Sequence, residues 1–311
     1  MGKSSSDTLR VSIGLPVYNG ENYIEEALHS ILAQTYTDFE LIISDNASTD
    51  RTPGICQVYA AKDRRIRYHR NKENLGGPAN YNRTFGLSRG EYFKWAAHDD
   101  VLAPDFLRQC VEALDDHPEV VLCHPRSRII DEDSEVIEDY GVHLGTDSPH
   151  PYVRFRDLIW VRHWCLQFFG LIRRSALEAT RLHGNYASAD RVLLIELALR
   201  GPFHEVAEYL FFSRRHGRQG SQAARDLHAY AAWFDSSKTE KLAFPASKLA
   251  LEHFRAVRDA PLGPSERARC YLSGLFRLGK YLSILSKDVT VPVRRMVGRP
   301  KWLAWMRESS T

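Results

Sequence analysis

The sequence is poor in the features that would place it at once. Its five cysteines, Cys56, Cys110, Cys123, Cys165 and Cys270, are odd in number, widely spaced and form no Cys-x-x-Cys pair, which argues against both a disulfide framework and a zinc site. A reducing, cytoplasmic setting is the expectation that follows. No run approaches the ~18 apolar residues of a membrane span, and no signal peptide precedes Val11. The 42 basic and 39 acidic groups leave a net charge of only +3, so nucleic acid is not an expected partner. There is no fixed-period repeat and no low-complexity tract. What is present, 311 residues with 43% hydrophobic and 26% charged, suits one large α/β domain with an appendage. Met1-Gly2-Lys3-Ser4-Ser5-Ser6 matches a myristoylation pattern and reads equally as a disordered leader over residues 1–9.

Strand and helix signals alternate from Val11 onward. Val11–Val17 is a β-branched run closed by Pro16 and followed by the turn Tyr18-Asn19-Gly20. Ile24, Ala27, Leu28, Ile31 and Leu32 follow at helical spacing, with Asn22 as N-cap and Glu25 as its capping-box partner. Glu40–Asp45 is a second buried strand, ending in Asp45-Asn46-Ala47-Ser48-Thr49-Asp50; Thr52 and Pro53 then open a helix. Ile66–His69 is a third strand, Asn74-Leu75-Gly76-Gly77 a tight turn, and a helix runs from Pro78 to near Gly90. Three such units predict a parallel sheet whose ligand crevice lies outside the carboxyl ends of its strands. Tyr18, Asp45, and Asp99 with Asp100 after the run Tyr92–Ala96, all fall at that edge. Adjacent carboxylates there suit a divalent cation held against phosphate oxygens.

Further on, Pro104 begins a helix, Val120–His124 and Arg128–Ile130 look like two strands, and Asp131 to Pro151 reads as a surface loop or flap. The aromatic cluster Trp160–Trp164 and Gln167–Gly170 is open between core and a wall for a sugar ring. Asn185–Asp190 introduces a helix closed by Gly201, and Phe203–Ser213 is strand-like, ending in the cationic Arg214-Arg215-His216-Gly217-Arg218. Beyond about Arg225 only helical patterns continue. The tail Arg294–Met306 alternates basic and aromatic residues, suited to an anionic membrane surface or to an amphipathic helix docked on the main domain.

The order of Pro16-Val17-Tyr18-Asn19, Ser44–Asp50, Asn74–Gly77 with Ala79 and Asn82, Gly90-Glu91-Tyr92 and His98-Asp99-Asp100 to Pro104 resembles the family 2 inverting glycosyltransferases of the GT-A fold, from about Val11 to about His216. The resemblance implies a GT-A mixed, mostly parallel sheet flanked by helices over residues 10–222, with a helical C-terminal region over 223–311. It implies a hexosyltransferase moving a sugar from a UDP- or dTDP-linked donor to a saccharide or lipid-linked acceptor in cell-surface polysaccharide or glycoconjugate synthesis. The setting would be the cytoplasm, peripheral to the inner face of the membrane. Nucleotide contacts carry over to Pro16, Tyr18, Asn19, Asp45, Arg70, Asn74, Gly76, His98 and Asp99. Manganese or magnesium would lie on Asp99, Asp100 and His216, phosphate on Arg214 and Arg215, and the catalytic base is Asp190. Ala97 departs from the family, standing where an Asp that faces the ribose is usual. That departure keeps a non-catalytic nucleotide-sugar or glycan-binding module in view. A sugar nucleotidyltransferase is the enzymatic alternative, against which stands the absence of a Gly-rich, basic loop after the first strand.

Overall fold

The computed structural model describes residues 9–217 and 245–280. Four short strands form the parallel half of its sheet. β1 (Val11–Val17), β2 (Phe39–Asp45), β3 (Ile66–Arg70) and β4 (Tyr92–Trp95) lie in the order β3-β2-β1-β4 and run in one direction. β1 and β2 are buried along their whole length, as strands covered by helices on both faces must be. α1 (Ile24–Leu32), α2 (Thr52–Lys62) and α3 (Gly77–Leu87) make the connections. The register sets Val17 beside Asp45 and Asp45 beside Arg70, so the loops after β1, β2 and β3 open at one edge.

The second half is mixed. It contains β5 (Val101–Leu102), α4 (Phe106–Asp116), β6 (Leu122–Ile130), β7 (Val136–Asp139), α5 (Pro151–Trp160) and a 3-10 turn at Leu166–Phe169. β8 (Leu171–Arg173), α6 (Arg174–Glu178), α7 (Ala189–Ala198) and β9 (Phe203–Arg214) follow. The sheet continues β4-β8-β6-β9-β5, with β7 paired to β6. β8 is antiparallel to both neighbours, and β6 and β9 are parallel to each other. Alternation along β4 sends Tyr92 to one face, with α1 and α4, and Phe93 and Trp95 into a second core with α5 and α7. α8 (Pro245–Asp259), the Ala260 that follows it and α9 (Pro264–Lys280) add Ala256, Val257, Ala260 and Cys270 to that second core. Buried Glu252 on α8 is held by Arg181, by Lys248 at 2.8 Å and by Arg255 at 2.7 Å.

Several elements depart from the expectations. Tyr23, not Asn22, precedes α1, and no side chain caps it. α2 already includes Thr52, whose N–H donates to Asp50 Oδ1 at 2.9 Å. α3 stops at Leu87, and the helix after Pro104 starts only at Phe106. The two strands expected around Pro125 are one, β6, with register shifts against β9 between Pro125 and Ser127 that absorb the missing N–H. The acidic stretch after Ile130 is partly a hairpin, since β7 pairs back onto β6. Residues 1–8 of the leader, the boundary at 222–223, Arg218 and the tail at 294–306 lie outside the described residues. Among the described residues no helix is long and apolar enough to cross a membrane.

Candidate functional site

The loops at the carboxyl edge of β1 to β3 are stitched together by short polar side chains. Asn19, at φ 52°, accepts from Thr49 N at 2.8 Å, and its own N–H donates to Ser48 Oγ at 3.0 Å. Asp45 is fully buried; its carboxylate accepts from Ser48 N at 2.8 Å and from Tyr68 Oη at 2.7 Å, and Arg70 Nε lies 3.4 Å away. Arg70 also donates to Ser48 O at 2.9 Å while half its side chain stays in solvent. Asn46 links to Asn74 Oδ1 at 2.7 Å, and Asn71 donates to both Asn46 and Asn80. Asn74 Oδ1 accepts from Gly76 N at 2.9 Å, and Gly76 sits at φ 83°, where any Cβ is strained. Pro16 lies in buried β1 beside Ser44, and Tyr18 beyond it is 46% exposed. Gly20 lets His98 approach, for a Cβ there would lie 2.6 Å from the imidazole.

β4 hands the chain to Ala97-His98-Asp99-Asp100, and the two carboxylates part company. Asp99 Oδ2 meets His216 Nε2 at 3.1 Å, and the imidazole leans on Tyr23 with ring centres 4.9 Å apart. Burial alone would raise the Asp99 carboxyl, but the hydrogen bond from His216 and the charges of His98 and His216 hold it below the usual carboxylate range. A cleft of about 360 Å³ opens beside His216, lined by Asn22, Tyr23, Glu132 and Gly217. Asp100 instead turns into β9 and accepts from Arg214 N at 2.9 Å. Burial and the neighbouring Asp99 charge push its carboxyl up to about 8. Asp100 is therefore a strand anchor rather than an outward ligand. Among the described residues no group of three His, Cys, Asp or Glu side chains forms a complete metal cage. One carboxylate and one imidazole at a cleft nevertheless fit a cation that takes its remaining ligands from phosphate oxygens.

The two arginines expected on phosphate do other work. Arg214 is buried, donating to Asp99 O at 2.8 Å, Asp131 O at 2.9 Å, Ser134 Oγ at 3.0 Å and Glu26 Oε2 at 2.5 Å. Its planar fork ties α1, the Asp99 loop and the β6–β7 turn into one corner. Arg215, on the opposite side of the strand, pairs with Glu138 at 3.0 Å and covers the Trp164 ring at 4.6 Å. Neither reaches out unpartnered for a diphosphate, because alternation along β9 gives one to the interior and the other to β7. Asp190 lies in the first turn of α7, its Oδ1 accepting from Arg191 N at 2.8 Å. It follows Ser188, which is left-handed at φ 61°.

Asn46, Ser48, Tyr68, Asn71 and Tyr23 were not singled out from the sequence. The polar loop Asp45–Asp50 held the signal for the first two. Tyr68 is findable only through its parallel neighbour on β2, and Tyr23 only through the fold.

The family model for glycosyl transferase family 2 matches residues 12–181. The chain belongs to this family. It is 28% identical over 237 residues, 72% of its length, to a putative glycosyltransferase EpsH of Bacillus subtilis. Over 116 residues, 36% of the chain, it is 36% identical to an uncharacterized glycosyltransferase of Rickettsia typhi. The chain spans 61% of the first relative's length and 35% of the second's. Among solved structures, S. aureus TarS 1–349 in complex with UDP-GlcNAc superposes with a TM-score of 0.65 at 17% identity, covering 86% of this chain and 72% of that one. A mannosyltransferase from Pyrobaculum calidifontis in complex with GDP-Man and Mn2+ gives 0.55 at 18%, covering 97% of this chain and 79% of that one. This family member therefore has the GT-A fold, its mixed sheet flanked by helices and followed by α8 and α9.

Proposed function

We propose that this protein transfers a sugar from a nucleoside diphosphate donor, UDP- or dTDP-linked, to a hydroxyl of a saccharide or lipid-linked acceptor, with inversion at the anomeric carbon. The observation that carries the reading is the meeting of Asp99 and His216 at 3.1 Å on the crevice edge, on the fold that places donors at that edge. Tyr18 and Arg70 face the base, with Asp45 fixing Arg70 from below, and the Asn46–Asn74 bond shapes the turn at Gly76. Asp99 and His216 would hold a divalent cation, manganese or magnesium. When bound, such a cation supplies neutralisation of the charge growing on the leaving diphosphate. Arg214 serves as the strut of that corner rather than as a ligand.

Asp190 is the base. It takes the proton of the acceptor hydroxyl as that oxygen bonds to the anomeric carbon, and the bond from that carbon to the diphosphate oxygen breaks on the opposite face. Two supports stand behind this role: its place in the first turn of α7 and the strained Ser188 two residues earlier. The nucleotidyltransferase alternative lacks its basic loop, since β1 runs straight into Tyr18-Asn19-Gly20. A lipid-linked acceptor agrees with ten basic against three acidic side chains over residues 264–311 and with Leu272, Leu275 and Phe276 exposed on one face of α9. That face would rest on acidic lipid headgroups.

The test is nucleoside diphosphate release from a panel of nucleotide-sugars. Asp190→Asn should slow release by about 10²–10⁴-fold, the range of general-base catalysis, with UDP affinity retained. Full turnover in Asp190→Asn would remove the base from the account.

A further inference from the structure

Asn80 and Asn82 stand two residues apart on α3, a spacing that turns their side chains to different faces of the helix. Asn80 faces the loop after β2, donating to Ser44 O at 2.8 Å and accepting from Ser44 Oγ at 2.7 Å. Asn82 faces the other way and closes on the backbone of a single residue 101 positions downstream: its Nδ2 donates to His183 O at 2.9 Å, and its Oδ1 accepts from His183 N at 3.0 Å. A carboxamide carries the donor and the acceptor that such a grip needs. Tyr81, between the two, stacks on the His183 ring with centres 5.5 Å apart, and its carbonyl accepts from Trp95 Nε1 at 3.0 Å. His183 is therefore held by a helix that is itself fixed to β2 and β4.

His183 lies in the connection that leads into α7 and its Asp190. Leu182 and Ser188, left-handed at φ 57° and 61°, bracket that stretch. Residues with a side chain keep such a backbone only where their surroundings over-determine it. At the entrance, Arg181 N donates to Glu196 Oε2 of α7 at 2.8 Å, and the Arg181 guanidinium reaches Glu252 of α8. Lys248 of α8 lies over the Tyr186 ring at 5.4 Å, and the neighbouring α9 is seated on α5, where Trp160 Nε1 donates to Ser273 Oγ at 3.1 Å. Past Asp190, Arg191 donates to Leu158 O at 2.9 Å and to His163 O at 3.0 Å, while His163 Nδ1 accepts from Cys165 N at 3.1 Å. Those ties belong to the mixed half and the C-terminal helices. Asn82, with the Tyr81 ring beside it, joins the connection to α3 and so to the half that carries the donor loops. We propose that Asn82 is a positioning residue for the transfer: its two bonds to His183 fix the Asp190 carboxylate in height and distance against the donor loops. Transfer needs base, acceptor oxygen and anomeric carbon in contact at once, so a small shift of α7 against α3 costs rate and leaves donor affinity alone.

This rests on the assignment of Asp190 as the base, and a cycle of single and double variants separates the two. Nucleoside diphosphate release is measured on the full chain with UDP-glucose, UDP-galactose, UDP-N-acetylglucosamine and dTDP-glucose, alongside UDP affinity by calorimetry and the melting temperature. Asn82→Leu keeps the volume and removes both bonds. On the donor that the native protein turns over fastest, it should lower kcat about 10–100-fold, the scale of a misplaced catalytic group, with donor KM and UDP affinity unchanged. Asn82→Asp keeps the acceptor for His183 N and loses the donor to His183 O; it should fall between, and it carries the same test if the leucine variant does not fold. In the Asp190→Asn background either substitution should cost nothing further, because a base that is absent cannot be misplaced. An asparagine that only supports the fold would instead lower both activities by the same factor. The inference is overturned if both Asn82 variants keep the native kcat, if they raise donor KM with kcat intact, or if their losses multiply with that of Asp190→Asn. A slow Asp190→Asn with multiplying losses leaves the base standing and removes Asn82 alone, whereas full turnover in Asp190→Asn removes the base and its positioning together.

Discussion

The two halves of this sheet solve placement in opposite ways. The parallel half, β1 to β4, holds the loops at its carboxyl edge by short-range hydrogen bonds from small polar side chains: Asn19 to Thr49, Asp45 to Ser48, Asn46 to Asn74. The mixed half, around β9, α5 and α7, uses long cationic side chains that gather distant segments. Arg214 joins residues 26, 99, 131 and 134, and Arg191 joins 158 and 163. Parallel strands bring loop ends together by topology, so little else is needed there. Strands that reverse, bulge and form hairpins do not, and arginine forks supply the missing constraint.

Breaking one long strut should therefore cost more than breaking one short link. Arg214→Leu removes the side-chain donor to the Asp99, Asp131 and Glu132 carbonyls and the partner of half-exposed Glu26; at about 1–3 kcal/mol for an acceptor left unsatisfied, it should cost about 3 kcal/mol in urea unfolding and abolish nucleotide binding. A loss below about 1 kcal/mol, the level of a surface pair, would break the contrast. Asn46→Ala leaves Asn74, Leu75 N and Asn71 short of partners. It should cost about 1–2 kcal/mol and lower UDP affinity, with Tyr140, Trp164 and Asp190 undisturbed.

A smaller effect sharpens the comparison through pH. Burial first, and then the Arg191 charge, push His163 down to about 4. The folded protein therefore binds this proton less readily than the unfolded chain, whose histidine titrates near ~6.5. The stability that the neutral ring contributes is complete above ~6.5 and is lost as the pH falls from there toward about 4. Trp164 fluorescence should report this loss first, because the protonated ring can no longer accept from Cys165 N. His163→Gln should flatten the slope; an unaltered slope would place the acid sensitivity elsewhere.

The same contrast explains what could be read from the chain alone. β1, β2 and β4 were legible because each is one largely apolar run followed by its own polar turn, and β3 (Ile66–Arg70), short and basic, because it falls between a helix and the turn at Asn74–Gly77. β9 was legible as a run, but the fates of Arg214 and Arg215 were not: adjacent in sequence, they point to opposite faces, and only the partners on α1 and β7 decide which is interior. Pro125 hid the continuity of β6, since a missing N–H reads as a break unless a bulge absorbs it. Asp100 looked like a ligand beside Asp99 because adjacency conceals that β9 pulls one carboxylate inward. Trp160 and Trp164 were indistinguishable in sequence, and the helix that covers one of them lies a hundred residues downstream.

The central claim is that Asp99, joined by His216, is the point where cation and diphosphate are held. Calorimetry of UDP with and without manganese, on the native chain and on Asp99→Ala, tests it directly. The native protein should bind UDP more tightly with manganese, and Asp99→Ala should lose about 10–100-fold in the manganese-dependent part of that affinity, its manganese-free binding little altered. UDP binding whose manganese dependence is the same in both proteins would contradict the account.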